Sequence, residues 1–205
     1  MNNVSNFWGE EDTSVYFCEN KYDEVFWIAE YYNTISSLSY IFIGLLFWDT
    51  KIAHLGYKLI LVGIGAFLLH MTLRHYAQLI DEGAMIVLSY DGARYINPKL
   101  PRFGVVLLLM FYIRFNESFV YFIILFTIMK LYIVRQMYVN SRLTQRNILR
   151  EIFFVFYIVL FIVGLLFWLM DQFLCDQVKL YQMHAWWHIF TSLAVGCGMM
   201  TLCLE

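Results

Sequence analysis

Two histidines four residues apart, in the pentapeptide His184-Ala-Trp-Trp-His188, are the residues of this chain best suited to chemistry. On a helix, side chains at positions i and i+4 share a face, so the two imidazoles can converge on one metal ion. Neutral imidazole is a good zinc ligand, but two ligands do not hold a metal firmly. The best candidate for a third ligand is His70, which is followed eleven residues later by Asp81.

The composition of the chain is that of an integral membrane protein. Of its 205 residues, 61% are hydrophobic, 20% are aromatic and only 15% are charged, which lies outside the range of soluble proteins. Two prolines and a formal net charge of -2 argue against a disordered chain and against nucleic-acid binding. The first thirty residues lack the basic and apolar regions of a signal peptide. We expect the lipid bilayer as a partner and find no indication of an obligate protein partner.

Apolar segments predict an all-α membrane fold, a bundle of seven transmembrane helices. A span needs about 20 apolar residues, and five segments meet this requirement: 28–48, 57–75, 117–134, 151–170 and 183–204. Two weaker segments, 80–96 and 103–115, are separated by the loop Asn97-Pro98-Lys99-Leu100-Pro101. No repeat is visible. We predict one domain over residues 1–205, with an N-terminal segment at 1–27 and the bundle at 28–204.

The distribution of basic residues predicts the orientation. With seven spans, four of the 14 Lys and Arg residues fall on the side of the N-terminus, and the other ten, Lys130 among them, fall on the opposite side. The positive-inside rule then places the N-terminus in the lumen and the C-terminus in the cytosol. His70, Asp81, His184 and His188 all come to the lumenal side. Omitting only one weak helix would put His70 and His184 on opposite faces.

The cysteines agree with this orientation. Cys18 and Cys175 both fall on the predicted lumenal side, and disulfides form in oxidising compartments. We therefore predict a bond between these two. Cys197 and Cys203 lie in the last apolar segment and are interpreted as small buried residues.

Several short motifs together resemble the alkaline ceramidase family, which belongs to a wider group of seven-helix membrane hydrolases that includes the adiponectin-type receptors. The motifs occur in the family's order and cover most of the chain. They are Phe7-Trp8-Gly9-Glu10, Cys18-Glu19, Ile28-Ala29-Glu30-Tyr31-Tyr32-Asn33-Thr34, His70-Met71-Thr72-Leu73, Gln78-Leu79-Ile80-Asp81-Glu82, Phe167-Trp168 with Asp171, and His184-Ala185-Trp186-Trp187-His188.

The resemblance implies a zinc amidase of the endoplasmic reticulum or Golgi membrane that cleaves ceramide into a sphingoid base and a fatty acid. It also implies the functional residues: zinc ligands His70, His184 and His188, a catalytic Asp81, and the Cys18–Cys175 bridge. Three histidines leave a fourth position for water, whose pKa zinc lowers to roughly 7. We expect Asp81 to accept a proton and pass it to the leaving amine.

The chain departs from the family pattern next to the first zinc histidine. The family has a serine one helical turn before it, where the hydroxyl can steady an oxyanion, and this chain has Ala66. Losing one such donor typically costs about 10²- to 10³-fold in rate.

A second departure concerns a calcium site that the family builds from its N-terminal segment and first helix. Glu19, Glu30 and the backbone of Phe17 match the family's ligands, but Tyr16 and Lys21 replace its Asp and Asn. Calcium takes six to eight oxygen ligands, and Lys21 brings a positive charge instead. Two alternatives are therefore consistent with the sequence: a bound calcium ion, or the ammonium of Lys21 in the place of the ion.

The first apolar segment carries a polar stripe, formed by Glu30, Asn33, Thr34 and Ser37 at helical spacing. One interpretation is hydrogen bonding between helices. The other is a cavity wall that receives the amide and hydroxyls of a lipid headgroup.

Two functions from different classes are consistent with these residues. The first is a zinc-dependent amidase that acts on ceramide. The alternative is a catalytically weak ceramide sensor or receptor that keeps the zinc site, which the Ala66 departure favours. A metal transporter is disfavoured because no continuous polar path across the membrane is evident.

Overall fold

The structure of the chain is a computed structural model that describes residues 7–143 and 147–204, and all regular secondary structure in this part is helical. The predicted all-α class is confirmed there, while residues 1–6 of the predicted N-terminal segment lie outside the described residues. The α-helices are α1 (Tyr31–Ser36), α2 (Leu38–Leu45), α3 (Ala53–Thr72), α4 (His75–Ile96), α5 (Gly104–Arg114), α6 (Phe119–Leu143), α7 (Ile148–Phe173), α8 (Cys175–Val178) and α9 (Met183–Cys203), with a 3₁₀ turn at Lys179–Tyr181.

Four of these helices, α3, α6, α7 and α9, are long and apolar enough to cross a membrane. Helix α4 has the length, with 22 residues, but carries four charged side chains, and α5 has only 11 residues. The chain is a membrane protein with at least these four candidate spans in its described part. The count of seven spans stays a prediction.

The first predicted span is not one continuous helix. It divides at Ser37 into α1 and α2. The hydroxyls of Ser36 and Ser37 donate to the carbonyls of Asn33 and Thr34 at 3.1 and 2.6 Å. Such bonds compete with the helical ladder, and the N–H of Tyr40 bonds to the carbonyl of Ser37, three residues back, at 3.1 Å.

The predicted boundary between the second and third spans is also wrong. Helix α3 ends at Thr72, Leu73 adopts a left-handed conformation with φ 51°, and α4 begins at His75. Asp12 in the N-terminal segment accepts a hydrogen bond from the N–H of His75 at 2.5 Å and so caps α4 from a distance. Residues 76–79, which lie between the two predicted spans, are therefore helical.

The N-terminal segment is attached to the end of the bundle that carries the histidines. The N–H groups of Ala29 and Glu30 donate to the carbonyls of Met71 and His70, each at 2.9 Å. These carbonyls lie in the last turn of α3, where helical carbonyls lack partners of their own. A disulfide between Cys18 and Cys175, with Cα atoms 5.4 Å apart, joins the segment to α8.

A cavity of about 380 Å³ runs between α3, α4, α6, α7 and α9. Helices α6 and α7 form one side of it, and they contact each other only sparsely. Helix α6 extends to Leu143, beyond the predicted end at residue 134. Lys130, expected on the cytosolic side of the membrane, therefore lies in the middle of α6 and lines the cavity.

Candidate metal centre

Three histidines converge at one end of this cavity. His70 lies in the last turn of α3, and His184 and His188 lie in the first two turns of α9. One ring nitrogen from each lies within 4.8 Å of the others. The three side chains are almost inaccessible to solvent, at 1%, 4% and 3% exposure. The grouping that the sequence predicted is therefore present in the structure.

Each imidazole has a polar neighbour at its Nδ1 atom. Nδ1 of His70 is 2.6 Å from Oε2 of Glu30, and Nδ1 of His188 is 2.8 Å from the hydroxyl of Ser36. Nδ1 of His184 makes no hydrogen bond but lies 3.9 Å from a carboxylate oxygen of Asp171. Metal-binding histidines commonly hold one nitrogen in this way and present the other to the ion. The arrangement therefore leaves the three Nε2 atoms for a shared ligand.

Ser36 and Asp171 are functional neighbours that the sequence did not single out for this role. Ser36 is outside the polar stripe, and Asp171 appeared only within a quoted motif. A carboxylate directly after an apolar span was the available signal for Asp171, because such groups are costly near the membrane interior unless they have a partner. Nothing in the spacing pointed to Ser36.

The polar stripe itself does not form the wall of the cavity. Thr34 and Ser37 donate to carbonyls of their own segment, at 2.5 and 2.6 Å, and Asn33 donates to Oε2 of Glu30 at 3.1 Å. The cavity-wall interpretation is therefore wrong. The stripe supports Glu30, and through Glu30 it supports the ring of His70.

Asp81 lines the same cavity as the three histidines. Its Oδ1 atom is buried and has no hydrogen-bond partner. Helix α4 approaches α3 closely here, because a Cβ on Gly65 would stand 2.6 Å from the Cα of Asp81. Only glycine permits this approach. A carboxyl group is thus held beside the chamber that the imidazoles line.

The N-terminal segment contributes a wall of the chamber. The ring of Phe17 lies 4.6 Å from that of His70 and 4.4 Å from that of His184, measured between centroids. Val15 and Phe17 both line the cavity. The sequence had indicated Phe17 only as a source of a backbone oxygen for calcium.

The residues expected to hold calcium do not fit that ion as they stand. The ammonium of Lys21 has no lone pair to offer a metal ion. It donates a hydrogen bond to the carbonyl of Phe17 at 2.9 Å and forms an ion pair with Glu30. It also lies 4.8 Å from the ring centroid of Tyr16. A positive charge therefore already occupies the position between two of the three expected ligands.

The third expected calcium ligand, Glu19, caps helix α1. Its two carboxylate oxygens accept hydrogen bonds from the N–H groups of Tyr32 and Asn33, at 2.7 and 2.9 Å. Burial raises the pKa of Glu19 to about 7, although these two hydrogen bonds act in the opposite direction. Both of its oxygens are thus engaged by the helix N-terminus.

Comparison with known proteins agrees with this geometry. The model of a protein family described as Ceramidase matches residues 9–204. The chain belongs to the ceramidase family. It is 24% identical to an alkaline ceramidase of Arabidopsis thaliana, with 95% of this chain and 84% of the relative covered. It is 26% identical to alkaline ceramidase 3 of Mus musculus (91% and 81% covered) and 27% identical to alkaline ceramidase 1 of Homo sapiens (95% and 83% covered).

Replacing His70, His184 or His188 of this ceramidase-family protein with alanine should remove its bound metal. Two imidazoles leave too few ligands, whereas the packing of the apolar helices does not depend on the ion. The measurement is metal content per chain by mass spectrometry of protein purified in detergent. His75→Ala is the matched control, since His75 contacts Asn116 outside the cluster, and it should keep full occupancy. Full occupancy in His70→Ala would exclude His70 as a ligand.

Proposed function

We propose that this ceramidase-family enzyme hydrolyses the amide bond of ceramide with a zinc ion held by His70, His184 and His188, releasing a sphingoid base and a fatty acid. The observation that carries the proposal is the cluster of three buried imidazoles, each with a polar neighbour at Nδ1, at one end of a lipid-sized apolar cavity.

The donor set suits zinc. Three neutral nitrogen ligands that leave one coordination position open are typical of catalytic zinc sites. When bound, zinc would polarise a carbonyl oxygen and lower the pKa of water. Glu30 keeps the ring of His70 in place by accepting a hydrogen bond from Nδ1–H, the tautomer in which Nε2 is the nitrogen left to ligate.

The cavity suits a lipid chain. Aromatic and aliphatic side chains of α6 and α7 line it, Phe119, Phe122, Ile158 and Phe161 among them. These two helices are mostly exposed along their apolar length and contact each other sparsely, so the cavity adjoins the hydrocarbon region of the bilayer. A membrane lipid could enter the cavity between α6 and α7, with its amide at the end where the three histidines lie.

Asp81 is the group placed to move a proton. Its side chain lines the chamber where the amide would lie, and its Oδ1 atom has no hydrogen-bond partner. An amine leaves poorly unless it is protonated, so a carboxylate that accepts a proton from water and delivers it to the leaving nitrogen assists the reaction. Gly65 is what lets α4 bring this carboxylate so close to α3.

The membrane setting is part of the proposal. The histidines and the Cys18–Cys175 bridge lie at the same end of the bundle, and a disulfide requires an oxidising compartment. We therefore place the N-terminus and the site in the lumen of the endoplasmic reticulum or Golgi and the C-terminus in the cytosol. The basic residues on the other side support this orientation.

A ceramide sensor with a weak or absent activity is the second candidate, and Ala66 is the observation that favours it. Ala66 is buried, lines the cavity and lies one helical turn before His70. A methyl group at this position can donate no hydrogen bond to an oxyanion. Both candidates bind zinc and ceramide, and only the enzyme releases a sphingoid base.

The two candidates are distinguished by measuring ceramide turnover by the unmodified protein and by the variant Ala66→Ser. In an enzyme, the added hydroxyl should raise kcat by about 10- to 10³-fold, the usual effect of one oxyanion donor. KM should change little, because the ground-state carbonyl gains less than the oxyanion does. Release of sphingoid base from ceramide is measured by mass spectrometry.

Each outcome of this experiment is informative. Turnover by the unmodified protein supports the enzyme, and zinc binding with turnover only in Ala66→Ser supports the sensor. An unchanged kcat in a fully zinc-loaded enzyme would show that another group already serves the oxyanion. Zinc-loaded protein without turnover in either form would contradict the amidase proposal.

We also propose that the ammonium of Lys21 takes the place of calcium. Lys21 pairs with Glu30, which in turn holds His70, so a covalently attached cation balances the charge of that buried carboxylate. The unfolding temperature of the natural chain should then be the same in calcium and in a calcium chelator. Lys21→Asn should become less stable in the chelator and recover with calcium, because the amide supplies an oxygen and removes the charge.

Lys179→Asn is the matched control for Lys21, since Lys179 lies in the 3₁₀ turn before α9. This variant should respond to calcium no more than the natural chain does. A calcium-dependent rise in the unfolding temperature of the natural chain would contradict the replacement of the ion by Lys21.

A further inference from the structure

Lys130 is a basic residue among mainly apolar side chains that line the cavity. It lies eleven residues into α6 and lines the cavity together with Phe126 and Phe161. Its ammonium stands 4.7 Å from the ring centroid of Phe126 and 5.9 Å from that of Phe161. No ion pair or hydrogen bond of Lys130 is present within residues 7–143 and 147–204. The aromatic faces stabilise the charge, but the N–H donors have no acceptor.

A second unpaired polar group lies close to Lys130. A small cavity of about 30 Å³ adjoins the large one, and Lys130, Phe126 and Phe161 line both. Ser89 on α4 lines the small cavity as well, is only 2% exposed, and has a hydroxyl without any hydrogen-bond partner. The space has room for one or two waters or for one small substituent. Two residues with donor groups thus line a space that is large enough for a polar group.

The small cavity lies deeper in the bundle than the metal centre. Its lining on α9 runs from Trp187 to Val195, and Val195, at the deep end, follows His188 by seven residues. Seven residues are about 10 Å along a helix that rises 1.5 Å per residue. A lipid chain whose amide lies at the histidines would pass this point on its way along the large cavity. The interaction is thus with the chain of the lipid and not with its headgroup.

We propose that Lys130 and Ser89 bind an oxygen substituent, a hydroxyl or keto group, carried on the hydrocarbon chain about 10 Å from the reacting amide. With an unsubstituted chain only a trapped water can accept from these donors, whereas an oxygen on the chain can accept from the ammonium and from the serine hydroxyl directly. A site built to hydrogen-bond a substrate oxygen discriminates strongly against the analogue that lacks it. The inference rests on the proposed function for the identity of the chain as the acyl chain of ceramide.

The test compares two ceramides of equal acyl length, one with a mid-chain hydroxyl and one without. The natural protein should have a kcat/KM about tenfold higher for the hydroxylated ceramide, the size of one hydrogen bond to a charged donor. Lys130→Met, which keeps the apolar stem, should reduce that ratio to about one, and Ser89→Ala should reduce it in part. Lys58→Met is the matched control, because Lys58 pairs with Asp91 outside the cavity, and it should keep the full ratio.

A binding measurement separates this inference from the proposed activity. The free mid-chain hydroxy fatty acid and its unsubstituted counterpart are titrated against the natural protein and Lys130→Met by calorimetry, which needs no hydrolysis. Tighter binding of the hydroxy acid that is lost in Lys130→Met supports the site even where ceramide is not cleaved. Normal cleavage of plain ceramide with no preference in either assay overturns the site and leaves the amidase standing, and a water then fills the small cavity.

Discussion

The hydrogen bond between Glu30 and Nδ1 of His70 is the contact on which the rest of the site depends. It joins the residue before α1 to the end of α3, and a backbone hydrogen bond from the N–H of Glu30 to the carbonyl of His70 joins the same two residues. A buried carboxylate needs compensation, and it receives it from the imidazole on one side and from Lys21 on the other. The segment that supplies Lys21 also supplies Phe17 to the chamber. The N-terminal segment is therefore part of the site.

Burial of polar groups in a membrane explains why each histidine has its own supporting residue. A lone imidazole surrounded by hydrocarbon loses its hydrogen bonds to water and gains nothing in return. Here Glu30, Ser36 and Asp171 each lie at one Nδ1 atom, and they come from two different parts of the chain. The Nε2 atoms are left to face one another. A cation bound among the three would satisfy acceptors that are otherwise buried together without a partner.

The sequence was sufficient to predict that the three histidines lie together. It was not sufficient to predict which residues contact their Nδ1 atoms. Two histidines four apart must share a helical face, and the count of weak helices decided whether His70 could join them. Both arguments use only the period of the helix and the topology of the membrane. Ser36 and Asp171 are positioned by the tertiary fold, as is the distant cap that Asp12 places on α4, and no local pattern encodes such contacts.

Two other failures have equally physical causes. The hydroxyls of Ser36 and Ser37 donate to carbonyls of their own turn. The helix is interrupted there, although the hydropathy of the segment is continuous. Apolar residues of α6 were taken to end near residue 134, so Lys130 was expected at the membrane surface. The helix continues to Leu143, which moves this lysine to the middle of the span. Hydropathy predicts the ends of a span poorly when the span contains a charged residue. Such residues are often functional.

The central claim is that three imidazoles hold one zinc ion at the end of the cavity. X-ray absorption at the zinc edge, on protein purified from its native membrane, tests this most directly. We expect one zinc per chain with three imidazole nitrogens at about 2.0–2.1 Å and a remaining oxygen ligand. A chain without zinc, or a zinc ion with sulfur ligands or with fewer than three imidazoles, would contradict the claim.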